Sequence, residues 1–481
     1  RMLAEGLAGV CLFGENITSV EQLRSLTGAI RAANPDALIA IDEEGGDVTR
    51  LYYDRGSPFP GNAVLGRLDD LDATRAVGAA VGAELRAVGV NLDFAPDVDV
   101  NSNPRNPVIG IRSFGSSPEL VARHGAAWVE GLQGQGVAAS IKHFPGHGDT
   151  AQDSHLALPT VDVAPATLRA RELLPFAAAV QAGALTVMTS HILLPQLDPA
   201  NPATFSSVAL QDILRGELGF DGVIVSDALD MAGASGTIGI PAAAVRALAA
   251  GCDLLCIGTK NTEAQLEQMV ARVSAALDAG ELPAARLADA TVRLRRLVGR
   301  IRDAEHANEV APSAASLPAE RHLQLPGEPG GAGLPDAERI ASTFEIEPGA
   351  RAALQGAGWV VVRVDTVANI AVGEVPWGPF RALAEMGPAL PVIEVTEEDW
   401  AERSGHIPLE ASVLVIGKDN ERRPWVVALV DALRERHERV VTVDMGWPGD
   451  DAASAQIATH GASAAVGAAL AAFLVESGVR A

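Results

Sequence analysis

The chain has 481 residues, a net charge of −24, and 48% hydrophobic against 20% charged residues. At about 150 residues per domain this is a packed globular protein of two or three domains, not a disordered one. The acidity argues against nucleic acid or an anionic membrane as partner, because phosphate binding needs clustered cations.

Short apolar runs recur through the first 260 residues, each followed by a polar or glycine-rich loop. They are Gly9–Phe13, Ala37–Ile41, Val90–Phe94, Val137–Ile141, Leu185–Met188, Val223–Val225 and Leu254–Ile257. Their length suits buried parallel strands. Helical patterns lie between them, for example Val20–Ala32, Ala73–Ala87, Pro118–Leu132 and Pro165–Ala182. Repeated strand–helix units read as a β/α barrel or a doubly wound sheet. The doubly wound sheet usually carries a glycine-rich phosphate loop after its first strand, and Gly14-Glu15-Asn16-Ile17 does not fit one. The predicted fold is therefore a (β/α)8-type TIM barrel over residues 1–302. Seven units are one short, residues 1–8 read as the end of a helix, and the first strand is expected upstream of Arg1.

A stretch rich in proline and glycine at 303–335 reads as a linker. Beyond it, strands at Trp359–Val364, Pro391–Val395, Ser412–Ile416 and Val440–Val443 alternate with helices at Trp425–Arg436 and Ala462–Glu476. Residues 336–481 are predicted to form a smaller α/β three-layer sandwich. The cysteines, Cys11, Cys252 and Cys256, form no disulfide framework. No apolar run has transmembrane length and no signal peptide is legible, but the chain opens on Arg1 rather than Met, which leaves cytoplasmic and secreted locations both open.

The unusual polar residues fall at the carboxyl ends of the predicted strands. Asp42 follows the second run; Asp93 sits at the end of the third and Asp97 after it. Lys142 and His143 follow Val137–Ile141, His191 follows Leu185–Met188, and Asp227 follows Val223–Val225. In a β/α barrel these ends converge on one mouth, where active sites are built. Lysine occurs only at 142, 260 and 418, so Lys142 stands out among the basic residues.

The segment from Lys142 to His155 is the densest. His143 and His147 have metalloprotease spacing, but Pro145, Gly146 and Gly148 break the helix that would align them, so no metal site is expected. Asp153 and His155, two apart in a loop, can form a general acid/base dyad. Alone they would read as a solvated loop; neighbouring Lys142 and Asp227 favour the dyad. Asp227 can act as a nucleophile on an anomeric carbon, or cap the helix that follows. Asp230 reads as an ordinary helix residue.

Lys142–Thr150 followed by Asp153-Ser154-His155 resembles the signature of glycoside hydrolase family 3, in its β-N-acetylglucosaminidase branch. Further segments match in the family's order. They are Asp42-Glu43-Glu44-Gly45-Gly46 with Arg50, Asn106–Gly110, Arg112-Ser113-Phe114, Ser190-His191, Pro202-Ala203-Thr204 with Ser206, and Gly219–Val223 leading into Ser226-Asp227. The resemblance covers residues 1 to about 300. It implies a retaining β-N-acetylglucosaminidase acting on carbohydrate from peptidoglycan fragments or chitooligosaccharides, without a cofactor. By the same resemblance Asp227 is the nucleophile and His155, supported by Asp153, the acid/base. Asp42, Arg50, Arg112, Lys142 and His143 hold the sugar ring, and His191 lines the pocket. A neutral imidazole does not repel an anion as a carboxylate does, so phosphate replacing water as acceptor is an alternative chemistry. A β-glucosidase of the same family, or a sugar-binding protein without turnover, are the competing readings. The family usually has Arg where Asp47 stands and an acidic residue where Ile111 stands.

Overall fold

The computed structural model describes residues 1–154, 158–310, 333–366, 368, 370–386 and 390–481. Seven parallel strands form the first sheet in sequence order. They are β1 (Gly9–Leu12), β2 (Leu38–Ile41), β3 (Leu92–Asp93), β4 (Ala138–Phe144), β5 (Thr186–Thr189), β6 (Val223–Ser226) and β7 (Leu254–Leu255). Successive residues of a strand face opposite ways, as its two-residue period requires. In β2, Ile39 and Ile41 pack outward with Leu23 and Ile30 of the helix Val20–Ala33, and Val77 and Leu85 of Leu71–Ala87 join the same layer. Leu38 and Ala40 point the other way, into a cluster with Leu92, Ala138, Met188, Val223 and Val225. This is the TIM-barrel-like α/β arrangement expected from the strand–helix repeat. The sheet curls enough to bring the Cys11 thiol of β1 within side-chain hydrogen-bond reach of Cys256 just past β7.

The helix Ala284–Val310 runs on into the stretch expected to be a linker. Its Leu297 and Ile301 enter the inward-facing cluster of the barrel. Arg293 donates to the Asp221 carbonyl, Glu305 pairs with Arg31, and Asn308 reaches the Gly134 carbonyl. All three contacts lie near the amino ends of strands, so this helix closes the end of the barrel opposite the active mouth. The remainder of the expected linker, up to residue 332, lies outside the described residues.

The second sheet has the order β10-β9-β11-β12-β13-β8. Its strands are β8 (Glu345–Ile346), β9 (Trp359–Val364), β10 (Val392–Val395), β11 (Ser412–Gly417), β12 (Val440–Asp444) and β13 (Ile457–Ala458). All pairings are parallel except β13 with β8. Val361, Leu414 and Val441 face the helix Ala464–Glu476, packing on Leu470 and Leu474. Val360, Val362 and Val413 face the helix Pro424–Arg436, packing on Leu429 and Leu433. Helices on both faces make the three-layer sandwich. The two-residue strands β8 and β13 carry no apolar run long enough to be seen in the sequence. No helix among the described residues is long and apolar enough to cross a membrane.

The two domains share a built interface. Barrel residue Val64 lies in the second domain's core, and Arg67 donates to the Thr343 carbonyl at 2.8 Å and pairs with Glu345 at 2.6 Å. Arg422 reaches back to the carbonyls of Asn106, at 2.7 Å, and Pro104, at 2.5 Å.

Candidate active site at the barrel mouth

The parallel register brings the carboxyl ends of β2, β3 and β4 side by side, with Ile41 opposite Asp93 and Leu92 opposite Ala138. Beyond β3 the chain stays alongside β4, where Asp97 bridges to Lys142 and Val98 donates to the Lys142 carbonyl. This run delivers Asp97 and Asp99 next to Lys142 and His143. Strand β4 itself extends to Phe144, so Lys142 and His143 are among its last residues rather than the start of a loop.

A chain of charge-assisted bonds results. Lys142 Nζ lies 2.8 Å from Asp42 Oδ1 and 2.7 Å from Glu44 Oε1. Arg112 grips the same Glu44 with two bonds, Nη2 to Oε1 at 2.7 Å and Nε to Oε2 at 3.0 Å. Arg112 Nη2 also lies 3.7 Å from Asp97 and 3.4 Å from His143 Nε2. His143 Nδ1 is 2.7 Å from Asp99 Oδ2. With Nδ1–H given to the carboxylate, Nε2 is the acceptor that Arg112 faces. Asp42, with 20% of its side chain exposed, is the open end of this chain; Lys142 and Glu44 retain 3% each.

Burial alone would raise the Glu44 carboxyl, and Arg112 and Lys142 overrule it and hold it low. Burial likewise opposes the charge on Lys142, and Asp42 and Glu44 restore it, leaving its pKa raised. Asp97 and Asp99 split. Burial and then Asp99 push Asp97 well up, whereas His143 outweighs burial at Asp99 and keeps it low. Two carboxyl groups this close do not both ionise readily. Asp97, Asp99 and His143 bring ligand atoms within 4.8 Å of one another, but Asp99 is committed to His143, and Arg112 already stands beside Asp97 as the cation.

Asp227 follows β6 and is half-buried. Its backbone N–H donates to Thr189 Oγ1 at 3.2 Å, and its carboxylate accepts the Ala228 N–H at 2.7 Å. The next helix, Ala232–Ser235, begins after Met231, so Asp227 does not cap it. Asp230 lies in the turn before that helix and accepts the Thr259 N–H instead of serving as a helix residue. His191 is fully buried; Nδ1 meets Thr204 Oγ1 at 2.9 Å and Nε2 meets the Ala228 carbonyl at 3.0 Å. It therefore braces the turn next to Asp227.

The loop after β4 takes its course from two glycines. Gly146 has φ +133°, in the region that side chains rarely adopt. At Gly148 a side-chain carbon would come 1.7 Å from the Val100 carbonyl oxygen. The segment is not helical, as Pro145 and the glycines require. Asn106 Nδ2 ties it to the 106–112 loop through the His147 carbonyl, at 2.8 Å, and Thr150 Oγ1, at 3.2 Å. Asp153 is half-buried at the far end. His155 lies outside the described residues.

Arg50, expected to hold the sugar ring, also reaches across to the second domain. Its guanidinium donates to the carbonyls of Ala371, at 2.8 Å, and Val372, at 3.2 Å, both in the second domain. Asp47 also works across the seam, accepting the Ala462 N–H at 3.0 Å with Lys418 3.8 Å away. A cavity of about 1060 Å3 opens there, lined by Asp47, Ile111 and Arg112 from the barrel and by Trp377, Lys418 and Arg422 from the second domain. It reaches Arg112 but not Asp42, Lys142 or Asp227, so it is the flank of the site rather than its floor.

The sequence pattern assigned no role to Glu44 or Asp99, although Glu44 pairs with both Lys142 and Arg112, and Asp99 with His143. Their signal was parity: Glu44 stands two residues beyond Asp42, and Asp99 two beyond Asp97, which in extended chain puts each pair on one side.

The chain is similar to known proteins over most of its length. Beta-hexosaminidase of Chromobacterium violaceum is 41% identical over 329 residues, 66% of this chain and 88% of that one. Beta-hexosaminidase A of Pseudoalteromonas piscicida is 37% identical over 344 residues, again 66% of this chain but 57% of the relative's own length. In structure, a glycoside hydrolase family 3 beta-N-acetylglucosaminidase from Paenibacillus sp. str. FPU-7 matches with a TM-score of 0.82 at 31% identity, covering 98% of this chain and 91% of that one. The profile of the glycosyl hydrolase family 3 N-terminal domain matches residues 2–297, more than half of the sequence, and with the strand-end residues described above it shows that this chain belongs to glycosyl hydrolase family 3.

Proposed function

We propose that the protein is a retaining β-N-acetylglucosaminidase that releases terminal β-linked N-acetylglucosamine, with Asp227 as nucleophile and the Asp153–His155 pair as acid/base. The observation that carries this reading is the buried network Asp42–Lys142–Glu44–Arg112 at the same mouth as Asp227. Sugar hydroxyls need donors and acceptors held in fixed directions, and a network whose charges are already paired supplies them without reorganisation. The names of the relatives and of the Paenibacillus structure support the acetamido sugar as substrate.

In the first step the Asp227 carboxylate attacks the anomeric carbon as the bond to the leaving oxygen breaks, and imidazolium His155 gives that oxygen its proton. In the second step neutral His155 takes a proton from water, which attacks the anomeric carbon and frees Asp227. Two inversions return the β-configured sugar. Asp153 stabilises the imidazolium formed on His155.

The test is release of p-nitrophenol from its N-acetyl-β-glucosaminide and β-glucoside, with and without phosphate, by wild type and Asp227→Asn. Turnover of the acetamido sugar alone, abolished in the variant and with β-anomer as first product, is the expected result. Sugar 1-phosphate in the presence of phosphate would move the chemistry to phosphorolysis. Preference for the glucoside would overturn the substrate, and no turnover by folded protein would leave a sugar-binding protein.

A further inference from the structure

His147 has no part in the chemistry above, yet both of its ring nitrogens are engaged. It is 1% exposed, with Thr150 fully buried and Ser154 2% exposed on either side. Nδ1 lies 2.8 Å from Thr150 Oγ1 and Nε2 lies 2.9 Å from Ser154 Oγ. Thr150 Oγ1 also lies 3.0 Å from the His147 carbonyl. Its single proton reaches either that carbonyl or Nδ1, and in each tautomer the ring bonds Thr150 on one side and Ser154 on the other. Burial, and then the neighbouring His143, push the ring down to about 4, so it is neutral at ordinary pH.

Ser154 stands in sequence between Asp153 and His155. After Thr150 the chain passes through solvent, with Ala151 and Gln152 exposed and Asp153 half-buried, and Ser154 is where it returns to the interior. The root of the loop is rigid, because Asp99 Oδ1 accepts the His147 N–H and Asn106 Nδ2 holds its carbonyl at 2.8 Å. The imidazole carries that rigidity seven residues along the chain.

We propose that His147 is a positioning residue for the acid/base pair: by its hydrogen bond to the Ser154 hydroxyl at Nε2 it ties Ser154 to the root of the segment and fixes the backbone through Asp153 and Ser154. The proposal rests on the reading of His155 as the proton donor. A general acid works only within hydrogen-bond reach of the leaving oxygen, so loosening the loop slows proton delivery more than it slows nucleophilic attack.

The test compares phenyl and 2,4-dinitrophenyl N-acetyl-β-glucosaminides. Phenol needs a proton to leave; dinitrophenol does not. His147→Asn places its amide near the Nδ1 position but withdraws from Ser154, whereas His147→Gln places its amide, donor and acceptor both, near the Nε2 position. His147→Asn and Ser154→Ala are expected to slow kcat on the phenyl glycoside by about tenfold or more, the loss of one buried hydrogen bond, with the dinitrophenyl rate within about twofold of wild type. His147→Gln is expected to retain most activity. The double variant combining His147→Asn with Ser154→Ala is expected to be no worse than the poorer single one. Equal losses on both glycosides, or His147→Gln failing as badly as His147→Asn, would overturn the proposal. Ser154→Ala removes only a hydroxyl and carries the test if the His147 variants do not fold. His155→Ala is the control for the underlying reading: without the same leaving-group dependence there, the acid/base assignment fails and the positioning role fails with it.

Discussion

The barrel mouth and the seam between the domains both rest on a few cations, but they use them differently. At the mouth, Lys142 and Arg112 are spent on carboxylates, and both converge on Glu44. At the seam, Arg50, Arg67 and Arg422 mostly grip backbone carbonyls. A buried carboxylate left without its cation is costly, so the mouth is an all-or-nothing arrangement. A carbonyl that loses an arginine is exposed to less penalty, so the seam is held by separable contacts. The same contrast runs through two adjacent residues. Glu44 faces the cations and is held low. Burial pushes Glu43, which accepts the backbone N–H groups of Arg50 and Leu51 instead, up to about 7.

The largest effect expected is on chemistry alone. Asp227→Asn should cut kcat by at least about a thousandfold with the melting temperature little changed, since the proposed nucleophile is removed while the side chain keeps its size and an oxygen for the Ala228 N–H. Steady-state kinetics beside a thermal melt checks it; residual activity within about tenfold of wild type would remove Asp227 from the mechanism.

Lys142→Met should cost about 3–5 kcal/mol of stability, because Asp42 and Glu44 lose their shared cation inside the barrel. Denaturant unfolding measures it. A loss below about 1 kcal/mol would mean the mouth tolerates a missing charge as a surface pair does.

Arg50→Ala separates the two regions directly. As an anchor of the seam it should cost about 1.5–3 kcal/mol, the range for hydrogen bonds to a charged group, with KM for the aryl N-acetylglucosaminide unchanged. A several-fold rise in KM without loss of stability would return Arg50 to the sugar, as the family resemblance implies.

The smallest effect concerns pH. Glu84 is buried against the Tyr52 hydroxyl, and burial pushes its carboxyl up to about 8, with Glu43 adding to the rise. Between the ordinary carboxyl range and that value the folded state binds a proton the unfolded state has lost. Stability from this group is therefore full below the unfolded pKa and falls as pH rises toward about 8. Glu84→Gln should flatten the decline in melting temperature between about pH 5 and 8; an unchanged slope would mean Glu84 does not titrate there.

Much of the barrel was legible because its strands are short, apolar and separated by helices of regular period. Even so, β4 runs on past the apolar stretch, since Lys142, His143 and Phe144 keep extended geometry against the 97–99 segment. The helix Ala284–Val310 runs into the stretch read as a linker because Glu305 and Asn308 find partners at Arg31 and Gly134, which no local pattern reveals. His191 was expected to line the pocket, and its ring also bonds the Ala228 carbonyl in the turn after β6, a contact that sequence spacing does not reveal.

The sequence alone determined the fold class, the strand ends that converge, and which residue types stand at them, because periodicity and the glycine and proline pattern are local properties of the chain. Tertiary structure decided the pairings: which carboxyl stays neutral, that Arg50 and Asp47 serve the seam, and that His147 meets Ser154. Those outcomes depend on burial and on groups brought together from distant strands, and neither is written in any single stretch of residues.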